Sequence, residues 1–250
     1  SQRITDILRS IGTDKKQKFF TQWMKKTLED DYLCYDTTSV SSYSQLNEYI
    51  KYGYNRDKEK LPQLNLAMVF AQNKALPVYF ERLPGNISDV TTVHNLLKTF
   101  SALGIKAPSY VMDKGFYSKK NIDELLEFRE KFLISVPLHI KWLQEAIDNI
   151  ADSIHGPEGY RKLDDEILYV HSQLYPWGPG KRRCYLHLYY NAHIRAKAID
   201  EFNEELVQYK QELESGKPNS NNQAAYDKFF IIKTTPKRGI KVAFNMETVN

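Results

Sequence analysis

The chain has 250 residues and a formal net charge of +4, which is long enough for one large or two modest domains with a core that needs no covalent staples. A mean hydropathy of −0.56 and the lack of an apolar run near the ~20 residues that cross a bilayer predict no membrane association. No secretory signal is visible, and Cys34 and Cys184 are too few for a disulfide framework, so a cytoplasmic location is expected.

The first elements in chain order are two helices and a short strand. Apolar residues at helical spacing predict helix over residues 1–28, divided at Gly12 and Thr13. The apolar run 32–35 predicts a buried strand that ends at Asp36, and the polar stretch 41–63 is typical of a loop.

A hairpin and a helix are predicted next. Residues 64–71 and 76–83 flank a short polar turn, which favours two antiparallel strands. After the break at 84–86, Ser88 or Asp89 is expected to cap a helix that ends at Gly104.

Two further strands complete the first half of the chain. Residues 109–112, ending at Asp113, and residues 131–136 each read as a strand, with a helix from Ser118 between them. Three antiparallel strands followed by two strand–helix units predict a mixed five-stranded α/β sheet.

The region after residue 137 has a less regular pattern. We expect a helix over 138–150, aromatic strand-like runs at 167–170 and 184–190, a heptad-like helix over 199–213, and a hairpin from 229–234 and 240–244. The expected organisation is therefore an N-terminal helical segment (1–30), a core (31–137) and a mixed, β-containing unit (138–250).

Two aspartates occupy positions that suit chemistry. Asp36 and Asp113 each follow an apolar strand, and open α/β sheets place their ligands at the carboxyl ends of strands. If the two strands are neighbours, their ends lie about 5 Å apart. Two carboxylates at that distance repel each other, and a divalent cation such as Mg²⁺ or Mn²⁺ relieves the repulsion. A turn or capping role for either aspartate is the simpler alternative.

Longer motifs around these aspartates resemble the DDE transposases of bacterial insertion sequences, the cut-and-paste group. The matching stretches, which keep the family's order over about 100 residues, are YDTTSVS (35–41), GYNRDKEKLPQLNLAMVF (53–70), LPVYFERLPGNISDVTT (76–92), YVMDKGFYSKKNIDELL (110–126) and FLISVP (132–137).

The resemblance implies a ribonuclease H-like fold and metal-dependent DNA cleavage and strand transfer. Asp36 then corresponds to the first catalytic and metal-binding aspartate and Asp113 to the second, with Mg²⁺ or Mn²⁺ as cofactor. Residues 138–250 resemble the family's insertion subdomain. The implied partners are the element ends and the target DNA, and the full-length protein is expected to be a homodimer.

The chain departs from the family pattern at the third acidic ligand. The family carries a glutamate in a Tyr-x-x-Arg-x-x-x-Glu stretch beyond the insertion, whereas Tyr189, Arg195 and Glu201 have the wrong spacing. The third carboxylate is therefore expected beyond Asn250, and the chain alone is expected to be inactive. The first residue, Ser1 rather than Met, also suggests a piece of a longer protein.

Basic residues supply candidate nucleic-acid contacts. Lys114 follows the second aspartate, and the run Lys181, Arg182 and Arg183 lies among aromatic residues, a combination that can follow a phosphate backbone and stack on bases. An exposed lysine and a solvated hairpin are the simpler interpretations of the two features.

Two other functions stay open. One is a ribonuclease H-like nuclease that does not transpose. The other is a catalytically incomplete remnant that binds DNA or oligomerises. The motif at 84–89 is explained equally well by turn and cap roles.

Overall fold

A computed structural model describes residues 2–28, 32–44, 46–54, 60–106, 109–235 and 239–249. The chain divides into two compact units, Ser1–Ala146 and Ile147–Asn250. Among the described residues, no helix combines the length and the apolar composition that a membrane crossing requires.

The described residues of the first unit form five strands, five helices and two short 3₁₀ turns. The helices are α1 (Gln2–Arg9), α2 (Thr13–Thr27), α3 (Val93–Ala102), α4 (Lys119–Glu127) and α5 (Lys141–Asp148), whose last two residues belong to the second unit. The strands are β1 (Tyr32–Ser41), β2 (Gln63–Ala71), β3 (Leu76–Pro84), β4 (Ser109–Met112) and β5 (Phe132–Ile134), and the 3₁₀ turns are Asp89–Thr91 and Lys114–Phe116.

The five strands form one mixed sheet in the order β3-β2-β1-β4-β5. β1 and β3 both pair with β2 in the antiparallel sense, whereas β1–β4 and β4–β5 are parallel. The parallel pairs need crossover connections, which α3 and α4 supply. The predicted mixed five-stranded α/β sheet is confirmed.

Aromatic rings join the helices to the sheet in the core of this unit. Phe20 of α2 lies 4.8 Å from Tyr79 of β3 between ring centroids, and Tyr79 lies 5.5 Å from Phe100 of α3. Phe100 in turn lies 6.2 Å from Tyr110 of β4. Such edge and tilted contacts add to the free energy gained by burying the rings, so α2 and α3 are fixed to one layer against the strands.

The first strand is longer than the sequence pattern predicts. β1 does not end at Asp36 but continues to Ser41, and it pairs with β2 along its whole length from Leu33. The added residues include two threonines and a valine, which favour extended backbone because their β-branched side chains pack well on a pleated surface. Polar composition alone does not end β1, because β2 pairs with it as far as Ser41 although β4 pairs only as far as Tyr35.

Two other predicted boundaries are wrong. α3 begins at Val93 with Thr92 as its N-cap, whereas Ser88 precedes only the 3₁₀ turn and caps nothing with its side chain. β5 covers three residues instead of six because its described pairing with β4 stops at Ile134. The helix from Ser118 is confirmed, since the Ser118 hydroxyl accepts a hydrogen bond from the Asn121 amide at 3.0 Å.

In the second unit, the part of the chain that the structure describes forms two small antiparallel sheets and three helices. One sheet has the order β6 (Tyr160–Leu163), β7 (Glu166–Trp177), β8 (Arg182–Tyr190), and the other pairs β9 (Phe230–Thr235) with β10 (Gly239–Phe244). The helices are α6 (Ala192–Glu214), α7 (Gln223–Phe229) and α8 (Met246–Val249), with a 3₁₀ turn at Ser220–Asn222.

The elements predicted for this unit are present, and the main helix is longer than predicted. The hairpin at 229–244 and the heptad-like helix predicted over 199–213 are confirmed. This helix, α6, starts at Ala192 because the Asn191 side chain caps its first turn. β6 was not predicted, since its sequence YRKL is exposed on both faces. A small core of Leu206, Leu213, Tyr226, Phe230 and Val242 holds α6, α7 and the second sheet together.

Candidate catalytic edge of the five-stranded sheet

Asp36 and Asp113 each follow the last register pair of two neighbouring parallel strands. That pair joins Tyr35 of β1 to Met112 of β4. Asp36 continues β1, and Asp113 comes directly after the end of β4. Asp113 keeps extended backbone angles, φ −78° and ψ 179°, and neighbouring strands are about 4.8 Å apart. Tyr35 and Met112 are buried whereas both aspartates are exposed. The two carboxylates therefore start from the same, outer face of the sheet.

Backbone amides orient both carboxylates. Asp36 accepts a hydrogen bond from the Thr37 amide at 2.8 Å, and Asp113 accepts one from the Gly115 amide at 2.8 Å. Asp113 is thereby the N-cap of the 3₁₀ turn that follows β4. Hydrogen bonds from backbone N–H groups restrict the rotation of a carboxylate. Both side chains are consequently held in one orientation at the same edge of the sheet.

A third carboxylate, that of Asp89, lies against the same turn. The Thr37 hydroxyl donates a hydrogen bond to Asp89. A Cβ added to Gly115 would lie 3.0 Å from an oxygen of Asp113 and 3.3 Å from an oxygen of Asp89. Sequence reasoning gave Asp89 only a cap or turn role. The motif NISD before α3 is the only sequence signal for Asp89. It does not reveal that the side chain of Asp89 is hydrogen-bonded to Thr37 of β1.

The buried amide of Asn121 fixes the two 3₁₀ turns to each other. Its Nδ2 donates to the carbonyl of Val90 in the first turn and to that of Phe116 in the second, both at 2.8 Å, and the residue is 3% exposed. The Phe116 ring packs against Tyr35 with centroids 4.9 Å apart. Because the second turn begins directly after Asp113, Asn121 sets the position of that aspartate. Sequence reasoning missed this residue, which resembles any polar position of an amphipathic helix.

A second buried amide pair fixes the loops beside the sheet. Gln63, which is fully buried, donates to the carbonyls of Tyr54 at 2.7 Å and Gly85 at 3.1 Å. Asn65 donates to the carbonyl of Ile87 at 2.9 Å. A buried amide with satisfied donors stabilises one loop conformation, since any other conformation leaves polar atoms unpaired.

Two glycines allow the close approach that these hydrogen bonds require. A Cβ on Gly85 would lie 1.9 Å from the carbonyl oxygen of Gln63, and a Cβ on Gly53 would lie 1.9 Å from the carbonyl oxygen of Gly85. No side chain fits at such distances. The stretches around residues 53, 63 and 85 therefore form one packed layer, which explains why the motifs that contain them are interrupted by glycine.

Burial keeps the tyrosine beneath the site uncharged. Burial is the main cause that raises the pKa of the Tyr35 phenol, and a hydrogen bond with Thr92 opposes it. The Thr92 hydroxyl also donates to the backbone carbonyl of Asp89 at 2.7 Å. Tyr35 thus supports the turn as a neutral, hydrogen-bonded group and adds no charge below the two aspartates.

The donor chemistry of the two aspartates fits a hard divalent cation. Carboxylate oxygens are the ligands that Mg²⁺ and Mn²⁺ prefer. Across residues 2–249, leaving aside the gaps in the description, no three His, Cys, Asp or Glu side chains are grouped as a metal site. The described part of the chain therefore offers a pair of carboxylates, which is fewer ligands than a closed site needs.

The predicted basic residues lie at two separate places. Lys114 is exposed in the 3₁₀ turn directly after Asp113. Lys181, Arg182 and Arg183 lie at the turn between β7 and β8, where Lys181 adopts a positive φ of 47°. Cross-strand register puts Arg182 opposite Trp177 and Arg183 opposite Pro176, so the two arginines point to opposite faces of that sheet.

Comparison with known proteins assigns a family to this arrangement. The family model described as the transposase DDE domain matches residues 28–196. No curated protein sequence matches the chain.

Solved structures with partial similarity include two transposases and a nuclease. A piggyBac transposase synaptic complex with hairpin DNA is 14% identical with a TM-score of 0.34, over 63% of this chain and 32% of that one. A Mos1 transposase paired-end complex with left transposon end is 13% identical with a TM-score of 0.31, over 55% and 51%. Endonuclease V of Ciona intestinalis in complex with DNA is 10% identical with a TM-score of 0.28, over 61% and 72%.

The match thus spans a third to a half of the two transposase chains, and these structural scores are too low to support any argument. The family model, in contrast, covers more than half of the sequence and includes both aspartates. The chain belongs to the transposase DDE domain family.

Proposed function

We propose that this chain is part of a transposase that cuts DNA strands and joins them to a target with the help of Mg²⁺ or Mn²⁺. The observation that supports this best is the position of Asp36 and Asp113 directly after the last register pair of two neighbouring parallel strands. In a DDE family member, this is the geometry that two metal-binding carboxylates need.

Asp36 and Asp113 would hold the cation between them. When bound, a divalent ion polarises the phosphoryl oxygen and lowers the pKa of an attacking water or hydroxyl group. The Thr37 and Gly115 amides keep the carboxylates oriented before the cation arrives, so little side-chain entropy is lost on binding. A third acidic ligand beyond Asn250, as the resemblance implies, would complete the set.

DNA is the proposed substrate, as element ends and as target. The net charge of +4 and the exposed Lys114 beside Asp113 suit a phosphate backbone. Lys181, Arg182 and Arg183 are proposed as further DNA contacts. A homodimeric full-length protein, an origin in a bacterial insertion sequence and a cytoplasmic location follow from the resemblance and the sequence, and they stay predictions.

A Mn²⁺ titration of the chain tests the metal-binding role directly. We expect Asp36→Asn and Asp113→Asn each to weaken Mn²⁺ binding at least ~10-fold, which corresponds to ~1.4 kcal/mol per lost carboxylate contact. Electron paramagnetic resonance of free Mn²⁺ measures this without any DNA. The matched control is Asp152→Asn, an exposed aspartate of the second unit that should bind Mn²⁺ like the wild type. Equal binding by all four proteins would contradict the proposed site and favour a non-enzymatic remnant.

A strand-transfer assay separates the transposase from a nuclease. The full-length protein that contains this chain, with labelled element-end DNA and a target plasmid, should give joined products that Asp36→Asn and Asp113→Asn abolish. Cleavage without joining would instead identify a ribonuclease H-like nuclease.

A further inference from the structure

The three-stranded sheet of the second unit has one face that is exposed and rich in rings and positive charge. Side chains of β8 alternate between the two faces: Leu186 and Leu188 are each only 8% exposed, whereas Tyr185 and Tyr189 are 54% and 63% exposed. Arg183 and His187 are exposed on the same face as the two tyrosines. We name these four residues, at every second position from 183 to 189, the β8 stripe.

Contacts within the stripe hold its side chains in order. The Arg183 guanidinium lies 5.3 Å from the centroid of the Tyr185 ring and donates a hydrogen bond to the Tyr185 hydroxyl. The rings of Tyr185 and His187 are nearly parallel, at 21°, with centroids 6.5 Å apart. His187 Nδ1 is 2.7 Å from the hydroxyl of Ser172 on β7. Three of the four side chains, those of Arg183, Tyr185 and His187, are thus held in a row by their own contacts.

The charge on this face favours an anionic partner. Arg161 of β6 lies on the same face, since it pairs with Leu168, two residues from the partner of Tyr189. The acidic Glu166 on that face accepts a hydrogen bond from Asn191 at 3.2 Å. Cations next to exposed rings are the combination that binds a phosphate backbone and stacks on bases.

The spacing of the rings selects an unstacked strand over a duplex. Alternate residues of a β-strand lie about 6.6 Å apart, whereas successive bases of one strand in duplex DNA rise by about 3.4 Å. Bases in a duplex are also covered by their neighbours, so their faces are closed to a protein ring. The bases of a single strand are free to lie against rings at twice that spacing.

We propose that the β8 stripe binds single-stranded DNA, with bases stacked on Tyr185, His187 and Tyr189 and the backbone next to Arg183. The inference rests on the proposed function, because it takes DNA as the substrate. It deepens that function by naming the form of DNA and the residues that hold it.

Fluorescence anisotropy with a labelled thymidine oligonucleotide tests the proposal. The strand is chosen longer than the ~16 nucleotides that the largest comparable sites occupy, and a chelator removes metal so that no cleavage contributes. We expect Tyr185→Ala and Tyr189→Ala each to weaken binding about 10-fold, the size of one lost base–ring stack. Tyr185→Phe and Tyr189→Phe should bind within about 2-fold of wild type, because the phenyl ring still stacks.

The controls separate stacking from charge and from damage to the fold. Tyr43→Ala removes a tyrosine that is 81% exposed in the first unit and should leave binding unchanged. A duplex of the same length should bind the wild type and both alanine variants alike. Alanine variants that bind the single strand as tightly as wild type, or a wild type that prefers the duplex, would overturn the proposal.

The result is independent of the metal site. Single-strand binding that depends on the tyrosines, together with no loss of Mn²⁺ binding in Asp36→Asn, would leave the β8 stripe standing and contradict the proposed catalytic site. Single-strand binding that does not depend on the tyrosines, together with weaker Mn²⁺ binding in Asp36→Asn, would contradict the role of the β8 stripe and support the proposed catalytic site.

Discussion

The two units of this chain treat their polar side chains in opposite ways. The first unit buries polar groups and bonds them to backbone or side-chain partners, although Oε1 of Gln63 has none. Among the described residues, the buried polar side chains all lie in this unit: Thr27, Thr37, Gln63, Asn65, Thr92 and Asn121. In the second unit the described charged and amide side chains are partly or fully exposed, and the buried side chains are apolar apart from Tyr226, whose hydroxyl is bonded to Glu212.

The difference shows which part of the fold is held in a single geometry. A buried, fully bonded amide accepts one geometry because every alternative leaves a donor or acceptor unpaired. In the first unit such groups surround the edge that carries Asp36 and Asp113 and fix the turns beside it. In the second unit an exposed row of rings is ordered only by its neighbours, which suits a surface that adapts to a flexible partner.

The largest contrast is expected at two glycines, one in each unit. Gly85→Ala should lower the free energy of unfolding by about 3 kcal/mol or more, because the new Cβ would lie 1.9 Å from the Gln63 carbonyl oxygen and the backbone must move. Urea denaturation followed by circular dichroism measures the change.

Gly180→Ala is the matched substitution in the second unit. Nothing lies within 4 Å of its added Cβ, so stability should change by less than about 1 kcal/mol, with a gain from the reduced entropy of the unfolded chain. If both variants lose the same stability, the packed layer around Gly85 is not the rigid element that the contrast requires.

A smaller effect is expected at the amide that joins the two 3₁₀ turns. Asn121→Ala removes both donors that reach Val90 and Phe116, and two buried carbonyls without partners should cost about 2–3 kcal/mol. Mn²⁺ binding should weaken in the folded variant as well, because the turn after Asp113 is released.

The control for this change is an exposed asparagine of α6. Asn203→Ala keeps the helix and removes no buried partner, so its unfolding free energy should stay within about 0.7 kcal/mol of wild type, on the favourable side. A loss of stability in Asn121→Ala without any change in Mn²⁺ affinity would limit Asn121 to a structural role.

Local pattern was enough to predict the sheet of the first unit. The alternation of β2, whose residues from Gln63 to Ala71 are buried at every second position, and the turn between β2 and β3 are local signals with a period of two. The two strand–helix units likewise contain their own caps, such as Ser118. These elements could be read because each is stabilised mainly by its own sequence and its nearest neighbour.

The remaining features depend on contacts between distant positions. The continuation of β1 past Asp36 requires its partner β2, the role of Asn121 requires carbonyls 31 and 5 residues away, and the hydrogen bond from Thr37 to Asp89 spans 52 residues. The pair Asp36 and Asp113 was first considered from the position of each after an apolar strand, and the family motifs then favoured a shared site over separate turn or cap roles. The β8 stripe had a visible period of two at 183–189, but exposure decides its meaning and sequence does not supply exposure.

The smallest expected effect is the change in stability when one glutamate in each unit is replaced by glutamine. The two changes should have opposite signs. Burial raises the pKa of Glu81 on β3, although Lys16 opposes the shift. A carboxyl whose pKa is raised by folding lowers stability as the pH rises above its ordinary range. Glu81→Gln should therefore be more stable than wild type at pH 7, and the advantage should vanish by about pH 3.

Glu212 on α6 should behave in the opposite way. Its pKa is lowered, first by the hydrogen bond that the Tyr226 hydroxyl donates and further by Gln208 and Asn222. Its stabilising effect is therefore present above the ordinary carboxyl pKa and is lost as the pH falls through the lowered value. Glu212→Gln should be less stable than wild type at pH 7 and should approach it toward about pH 3. Urea midpoints of wild type and the two variants at pH 7 and about pH 3 give the sign of each stability change. If both variants are stabilised, or both destabilised, at pH 7, the proposed contrast between the buried Glu81 and the hydrogen-bonded Glu212 is wrong.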